Sequence, residues 1–424
     1  MNPTFYRIVW LALLLGVIVP AYPQEDQPQV EVNAEGAPEG AVEAEEASPE
    51  QKYTPNVVFP DETERLQAIA TELEKLLGHK FEVYSEDHWG IIYDTEITLA
   101  RQTGTILETT YQEFYNNMGR RGIQPEPLKQ RMICLLIRDQ TDYLKYGESL
   151  GRGGFPKWSA GVFTHGTKYI QFFDQRTGEQ FQQWTSAIEG IEQQKIEMKN
   201  QREKEREDAR KQRQAPGNRK PGYTPEGISN VQYAEQMKDL EEQKKRIQNQ
   251  MARIADGSNL TVTTHEATHQ LAFHTGVQNL ESENPFWVSE GLATNFEMQK
   301  RGAPFAFKKN QDRLDVLQSA HERDKLIPWE EFVVTMHAPQ GGGGGNETVG
   351  NMYGQAWGLY SFLMATKKEK LAAYLKDLAD GTTDHKATFE QHFGPIDKLA
   401  LQLGNYHKLK KKDKASDKAT KTKS

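Results

Sequence analysis

Three features that would assign a protein to a class directly are scarce in this sequence. It contains a single cysteine among 424 residues, so no disulfide can form within the chain. After its first residues it has no apolar run of the roughly 20 residues that a transmembrane helix needs. Basic residues are not in excess, because 52 Lys and Arg are balanced by 60 Asp and Glu, with a net charge of −8. This balance gives no support to nucleic-acid binding.

The first residues have the pattern of a secretory signal peptide. Arg7 supplies a positive charge, residues 8–19 are apolar, and Val19 and Ala21 occupy the small-residue positions of a cleavage site. We expect cleavage after Ala21, which removes residues 1–21. The apolar run is too short to span a membrane, and no cysteine follows it to carry a lipid anchor. Export without disulfides predicts a bacterial periplasmic or secreted protein.

Both ends of the remaining chain have compositions typical of disorder. Residues 22–57 are acidic and rich in Pro, Ala and Gly, with Lys52 as their only basic residue. Residues 408–424 contain eight lysines and two aspartates. We expect an acidic disordered linker and a basic disordered tail. The tail is either a solvated terminus or a contact for an anionic polymer or membrane surface.

Residues 58–178 predict a lobe with a small mixed sheet, and residues 257–407 have an almost entirely helical pattern. This order predicts an α+β fold with a cleft between the two lobes. Cys134 lies in one of the predicted strands and is expected to be a buried hydrophobic side chain. We predict strands at residues 80–84, 90–93 and 131–138, a helix at 95–119, and a hairpin formed by residues 160–163 and 168–173.

Residues 179–256 predict an insertion made of two long helices. Apolar residues recur at spacings of three and four on either side of a Pro- and Gly-rich stretch at residues 215–222, which is typical of an antiparallel coiled-coil hairpin. Folding it back places Phe181 near Ile254, Ile188 near Ile247 and Met198 near Met237. The hairpin could gate a cleft, dock a partner, or be an insertion held only by its own seam.

The strongest chemical signal is His265-Glu266-Ala267-Thr268-His269, an H-E-x-x-H pattern. On a helix, residues four apart lie on one face, so both imidazoles can reach one metal ion. Glu266 then lies where a water at the metal would be. Two His and a water leave tetrahedral zinc one ligand short, so a third protein ligand is expected nearby. Residues 285–297 predict a second helix with Glu290 at its middle.

These two stretches together resemble the gluzincin zinc metallopeptidases, in which H-E-x-x-H is followed by a helix that carries a glutamate. The second stretch has the form W-x-x-E-G-x-A, from Trp287 to Ala293. It is similar to aminopeptidase-like gluzincins and to secreted bacterial peptidase-like domains of unknown function. The resemblance is specific over residues 260–300 and looser over residues 350–405. It implies a zincin fold for the helical lobe, with His265, His269 and Glu290 as Zn²⁺ ligands and Glu266 as the general base.

The resemblance implies three further roles. Thr294 stands where thermolysin-like relatives have an Asp that orients a ligating histidine. Tyr353, at the start of a predicted helix, corresponds to a tyrosine that hydrogen-bonds the oxyanion, although it could equally be a packed aromatic. Residues 169–173 correspond to a sheet-edge strand along which a peptide substrate pairs, although they could also be an ordinary paired strand.

The sequence therefore predicts a secreted zinc-dependent peptidase that hydrolyses peptide bonds through a metal-activated water, with a peptide or protein as substrate. The G-x-M-E-N stretch by which related aminopeptidases hold a free amino terminus does not precede the H-E-x-x-H helix, which favours an endopeptidase. The alternative is a catalytically inactive zinc-binding or scaffold protein that acts through its hairpin and charged tails.

Overall fold

The computed structural model describes most of the chain in eight stretches. The predicted signal peptide, the linker up to residue 52 and the tail from residue 410 lie outside them. Within these stretches, no helix is both long enough and apolar enough to cross a membrane. The described residues are 53–151, 154–157, 159–214, 230–253, 259–279, 284–297, 310–339 and 345–409.

The N-terminal lobe is built on five described strands that form one mixed sheet. They are β1 (Glu82–Ser85), β2 (Trp89–Tyr93), β3 (Met132–Ile137), β4 (Gly161–Thr164) and β5 (Tyr169–Phe173). Their order in the sheet is β1-β2-β3-β5-β4. Strands β2, β3 and β5 are parallel, whereas β1 and β4 are antiparallel to their neighbours. With the helices given below, this confirms the predicted α+β class and its mixed sheet.

Helices α1 (Thr63–Leu77), α2 (Ile97–Gly119) and α3 (Gln140–Ser149) pack against this sheet. Successive side chains of a strand point to opposite faces, and β3 joins two cores in this way. Its odd-numbered residues pack with α1 and α3, whereas its even-numbered residues, including Cys134, belong to the larger core that contains α2. Cys134 is buried, as predicted, and burial raises the pKa of its thiol.

Of the two interpretations of residues 169–173, the sheet edge is wrong and the ordinary paired strand is confirmed. β5 lies between β3 and β4, and β4 and β1 are the edges of the described sheet. β4 and β5 form the predicted hairpin, closed by a hydrogen bond from the Lys168 N–H to the Thr164 carbonyl of 2.7 Å. Because β5 pairs in parallel with β3 on one side, its hairpin partner can add only on the other.

Two long helices follow β5 and pack against each other. They are α4 (Glu179–Gln214) and α5 (Asn230–Arg253), and the stretch between them lies outside the described residues. Lys195 pairs with Glu241 at 2.5 Å, and Lys244 pairs with Glu192 at 2.7 Å. In these pairs, residues later in α4 meet residues earlier in α5, so the two helices run antiparallel. The coiled-coil character of their packing stays a prediction, and the predicted contact of Ile254 lies outside the described residues.

Because these pairs join α4 to α5 and not to the sheet, the insertion should be separable from the rest of the protein. We expect that replacing residues 181–254 by a short Gly-Ser linker leaves a folded chain that still binds one zinc ion. Circular dichroism and thermal unfolding of the shortened chain show whether it is folded, and metal analysis measures its zinc content. Aggregated, metal-free protein would show that the insertion belongs to the core.

The helical lobe begins with α6 (Asn259–His274), which is fastened to the sheet by Gln270. The Trp89 indole N–H donates to the Gln270 side-chain oxygen at 2.9 Å, and the Gln270 amide donates to the carbonyls of Ile133 and Lys168, both at 2.9 Å. All three contacts are buried or partly buried, so they fix α6 relative to β3. The other described helices are α7 (Phe286–Phe296), α8 (Gln311–Glu322), α9 (Trp329–Phe332), α10 (Gly345–Thr366), α11 (Lys368–Ala379), α12 (His385–Phe393) and α13 (Ile396–Tyr406).

Candidate metal centre

Helices α6 and α7 bring the three predicted ligands together. The Nε2 atom of His265 lies 3.1 Å from Oε2 of Glu290 and 3.2 Å from Nε2 of His269. The His269 Nε2 atom lies 3.5 Å from the same Glu290 oxygen. For a tetrahedral zinc ion with bonds of about 2.0 to 2.1 Å, two ligand atoms would be about 3.3 Å apart. The spacing and the donor set, two imidazole nitrogens and one carboxylate oxygen, therefore fit Zn²⁺.

The electrostatics of this group favour a positive charge at its centre. Burial alone would lower the pKa of His265, but its hydrogen bonds to Glu290 and Glu297 raise that pKa to about 10. Burial alone would raise the pKa of Glu290, but the neighbouring His269 and His265 hold it well below its usual range. The two carboxylates thus favour a positive charge at the Nε2 atom of His265, where a bound metal ion would replace the proton.

The partner that orients His265 is Glu297, not Thr294. Glu297 Oε1 lies 3.1 Å from His265 Nδ1. Burial alone would raise the Glu297 pKa, but Arg313 and His265 lower it to about 2. An ionised carboxylate only accepts hydrogen bonds, so Nδ1 carries the proton it donates, and Nε2 faces the other ligand atoms.

The prediction for Thr294 is wrong because its short side chain turns back onto its own helix. The Thr294 hydroxyl donates to the Glu290 carbonyl at 2.6 Å and the Gly291 carbonyl at 3.1 Å, as threonines often do inside helices. Glu297 lies one turn further on, and its longer side chain reaches His265. Its position two turns after Glu290, on the same helix face, is the sequence signal that could have identified it.

Glu297 is in turn held by residues that the sequence analysis missed. Its two carboxylate oxygens accept hydrogen bonds from Arg313 at 2.9 and 2.5 Å, and one of them also accepts from the Asn310 side-chain amide at 3.0 Å. Both residues lie at the start of α8, where the Asn310 side chain caps the helix by accepting from the Arg313 backbone N–H.

Glu266 lies between the two histidines in sequence and contacts the edge of the sheet. Its Oε2 atom accepts a hydrogen bond of 2.7 Å from the backbone N–H of Phe163 in β4. Burial raises the pKa of Glu266, although His265 and His269 oppose the shift. A raised carboxylate pKa lies closer to neutrality, which suits a group that accepts and returns a proton.

Tyr353 of α10 lies beside the same group. Its ring centroid is 6.0 Å from that of His265 and 5.4 Å from that of Phe286. Burial, followed by the charge of Glu290, raises its pKa well above 10, so the hydroxyl stays protonated and can donate. The oxyanion role of Tyr353 stays a prediction.

Gly291 explains how α7 and α10 come close enough to share this site. A Cβ atom on Gly291 would lie 2.8 Å from the Ala356 carbonyl oxygen of α10, closer than a side chain can approach. The glycine that follows Glu290 in the W-x-x-E-G-x-A pattern therefore lets the helix that carries Glu290 lie against the helix that carries Tyr353.

A second group of potential ligands, His79, Asp94 and Asp142, also has its atoms within 4.8 Å of one another. The two nitrogens of His79 face different carboxylates, Asp94 at 3.0 Å and Asp142 at 2.9 Å. Arg138 pairs with Asp142 at 3.0 Å and lies 3.9 Å from Asp94. The carboxylates are thus shared between a histidine and an arginine, and we interpret the group as an ion-pair network at the carboxyl ends of β2 and β3.

Asp94 in this network should make stability depend on pH. Burial raises its pKa from 3.8 to about 6, so its ionisation costs folding free energy increasingly as pH rises from about 4 to 6. Each pKa unit corresponds to about 1.4 kcal/mol. Asp94→Asn should therefore stabilise the protein by about 1 to 3 kcal/mol at pH 8, and the gain should vanish near pH 4. Chemical unfolding of both proteins at pH 8 and pH 4 measures the difference in their free energy of unfolding. The exposed Asp239→Asn is the control, and a gain that persists at pH 4 would contradict the assignment.

A family model described as "Protein of unknown function (DUF1570)" matches residues 259–382. The matched segment starts at the first residue of α6 and contains the three candidate ligands, Glu266 and Tyr353, but covers less than a third of the chain. The search of curated proteins and the search of solved structures give no match.

Proposed function

We propose that this protein is a zinc-dependent peptidase, exported to the periplasm or the medium, that cleaves within peptide or protein chains. The observation that carries the proposal is the set of distances of 3.1 to 3.5 Å among the Nε2 atoms of His265 and His269 and the Oε2 atom of Glu290. Glu266 is adjacent to His265 in sequence and is not one of the candidate ligands. This combination is what hydrolysis by an activated water requires.

His265, His269 and Glu290 would hold the ion. Zn²⁺ bound there would act as a Lewis acid that polarises the scissile carbonyl and makes water more acidic. Glu266 would accept a proton from the attacking water and return it to the leaving amine, a role that its raised pKa supports. Glu297 would keep the His265 ring in one orientation by accepting its Nδ1–H.

Strand β4 is the best candidate to bind the substrate backbone. It is one of the two edge strands of the described sheet, and its Phe163 N–H donates to Glu266. An edge strand presents unpaired N–H and C=O groups to which an extended peptide can add. A peptide paired with β4 would therefore run past Glu266, with its scissile bond near the candidate ligands.

A digest of a broad peptide library tests the proposed function. The purified protein should cleave internal bonds, a zinc chelator should stop cleavage, and added Zn²⁺ should restore it. Mass spectrometry of the purified protein from the periplasm or medium should give a chain that begins after Ala21. Cleavage that is unaffected by chelation, or no cleavage by zinc-loaded protein, would reject a zinc peptidase and favour the scaffold alternative.

Tyr353→Phe should lower kcat by about a hundredfold, the usual cost of one lost oxyanion donor, and leave KM and zinc content nearly unchanged. The reason is that a donor to the developing oxyanion acts mainly in the transition state. Steady-state kinetics on a cleaved library peptide measure the effect. If Tyr353→Phe is as active as the wild type while Tyr353→Ala unfolds the protein, the residue only packs against Phe286 and the oxyanion is bound by another group.

A further inference from the structure

Arg313 contacts both Glu297, which orients the candidate ligand His265, and Tyr353, the candidate oxyanion donor. Its guanidinium donates two hydrogen bonds to Glu297, at 2.9 and 2.5 Å, and the same group lies 5.3 Å from the centre of the Tyr353 ring. Glu297 is the partner of His265, and the charge of Glu290 acts on Tyr353. One side chain therefore links the group that orients a candidate ligand to the candidate oxyanion donor.

The chemistry of both contacts requires an arginine. A guanidinium is planar, so it can donate two parallel hydrogen bonds to one carboxylate and still present a flat cationic face to an aromatic ring. A lysine ammonium is a point charge on a flexible stem and cannot satisfy both contacts at once. The contact with the ring is also worth more when it is shielded from water, and three-quarters of the Arg313 side chain is covered.

The backbone around Arg313 is fixed on two sides. Its N–H donates to the Asn310 side chain at the start of α8. Helix α8 also lies very close to α10, because a Cβ atom on Gly354 would lie 2.8 Å from the Val316 side chain and 3.1 Å from the Leu317 nitrogen. Gly354 is adjacent to Tyr353, so the close packing of α8 against α10 fixes the distance between Arg313 and Tyr353.

We propose that Arg313 is a positioning residue that sets zinc affinity through Glu297 and turnover through Tyr353. The effect on turnover rests on the proposed function. The effect on zinc affinity does not, because zinc affinity can be measured without any activity. Helix α8, which follows the candidate ligands in sequence, would then contribute a residue that positions groups of the candidate metal centre. Arg313 touches no candidate ligand, so it acts through these two neighbours.

The test compares Arg313→Ala and Arg313→Lys with Glu297→Gln, Tyr353→Phe and the corresponding double variants. Zinc Kd is measured by competition with a chromophoric chelator, and kcat is measured on a cleaved library peptide at saturating zinc. Arg313→Ala should weaken zinc binding by about 10- to 100-fold and lower kcat by about tenfold with KM nearly unchanged. Arg313→Lys should recover part of the zinc affinity, because it keeps a positive charge beside Glu297, and little of the kcat.

The double variants separate positioning from general damage to the fold. Arg313→Ala should cost little further zinc affinity once Glu297 is Gln, and little further kcat once Tyr353 is Phe. Arg131→Ala is the matched control, because Arg131 also lies over an aromatic ring, that of Phe59 at 5.5 Å, and also pairs with a carboxylate. It should leave both quantities unchanged.

Zinc affinity of Arg313→Ala within twofold of the wild type would overturn the inference, as would full additivity in both double variants. If Arg313→Ala does not fold, the same comparison with Arg313→Lys decides. If the wild type binds zinc but cleaves no peptide, the proposed function has failed, and the zinc-affinity cycle of Arg313 and Glu297 alone decides this inference.

Discussion

Glu266→Gln should slow peptide hydrolysis by about a thousandfold while the protein keeps its full zinc content. Glutamine has the same shape and can still accept the Phe163 N–H that now donates to Glu266 at 2.7 Å, so the fold and the ligand set should be preserved. It cannot take a proton from water, and general acid–base catalysis contributes about a hundred- to ten-thousandfold. We expect kcat to fall by about a thousandfold. Kinetics on a cleaved library peptide, with zinc analysis of the same samples, measure both quantities.

Glu369→Gln is the matched control, because it makes the same chemical change at an exposed position of α11. It should leave both kcat and zinc content unchanged. Normal activity in Glu266→Gln would contradict the assigned base. Loss of zinc in that variant would mean that Glu266 is itself a ligand, and the geometry of the centre would need to be assigned again.

Alanine at His265, His269 or Glu290 should reduce zinc from about one ion per chain to a small fraction of that. Each substitution removes one of three protein ligands, and a site with two protein ligands binds zinc far more weakly. The loss should be similar for all three, because their ligand atoms lie at similar distances from one another, between 3.1 and 3.5 Å. Elemental analysis after dialysis against a weak chelator measures zinc content, and activity should fall with it.

His274→Ala is the control for these variants, because His274 ends the same helix α6 and is not part of the ligand group. It should keep its zinc. Full occupancy in Glu290→Ala would reject Glu290 as the third ligand. The scaffold alternative predicts that zinc binding follows the same pattern while no peptide is cleaved by any form of the protein.

The sequence was sufficient to predict the two candidate histidine ligands because their geometry is local. Residues four apart on a helix share a face whatever surrounds them, so His265 and His269 could be paired by spacing alone. Glu290 lies on the next helix, and its role came from the resemblance of the W-x-x-E-G-x-A pattern to gluzincins. The same reasoning predicted the α+β class and the strands, since the apolar runs of β2 and β3 are continuous and bounded by polar residues.

What could not be predicted depends on contacts between distant elements. Either strand of the β4–β5 hairpin fits a period-two pattern, so the pattern does not say which one pairs with β3 and which becomes the edge. Thr294 was expected to orient a histidine because of its position, but its hydroxyl bonds to its own helix. The link from Glu297 to Arg313 joins α7 to α8 by tertiary packing, and nothing in the local sequence around Arg313 indicates it.

Diffraction from zinc-loaded crystals, recorded above and below the zinc absorption edge, tests the central claim most directly. We expect one anomalous peak within about 2.0 to 2.3 Å of the Nε2 atoms of His265 and His269 and of a Glu290 carboxylate oxygen. The peak should be absent in Glu290→Ala and present in Glu266→Gln. A peak at His79, Asp94 and Asp142 with none between α6 and α7, or no peak in protein saturated with zinc, would contradict it.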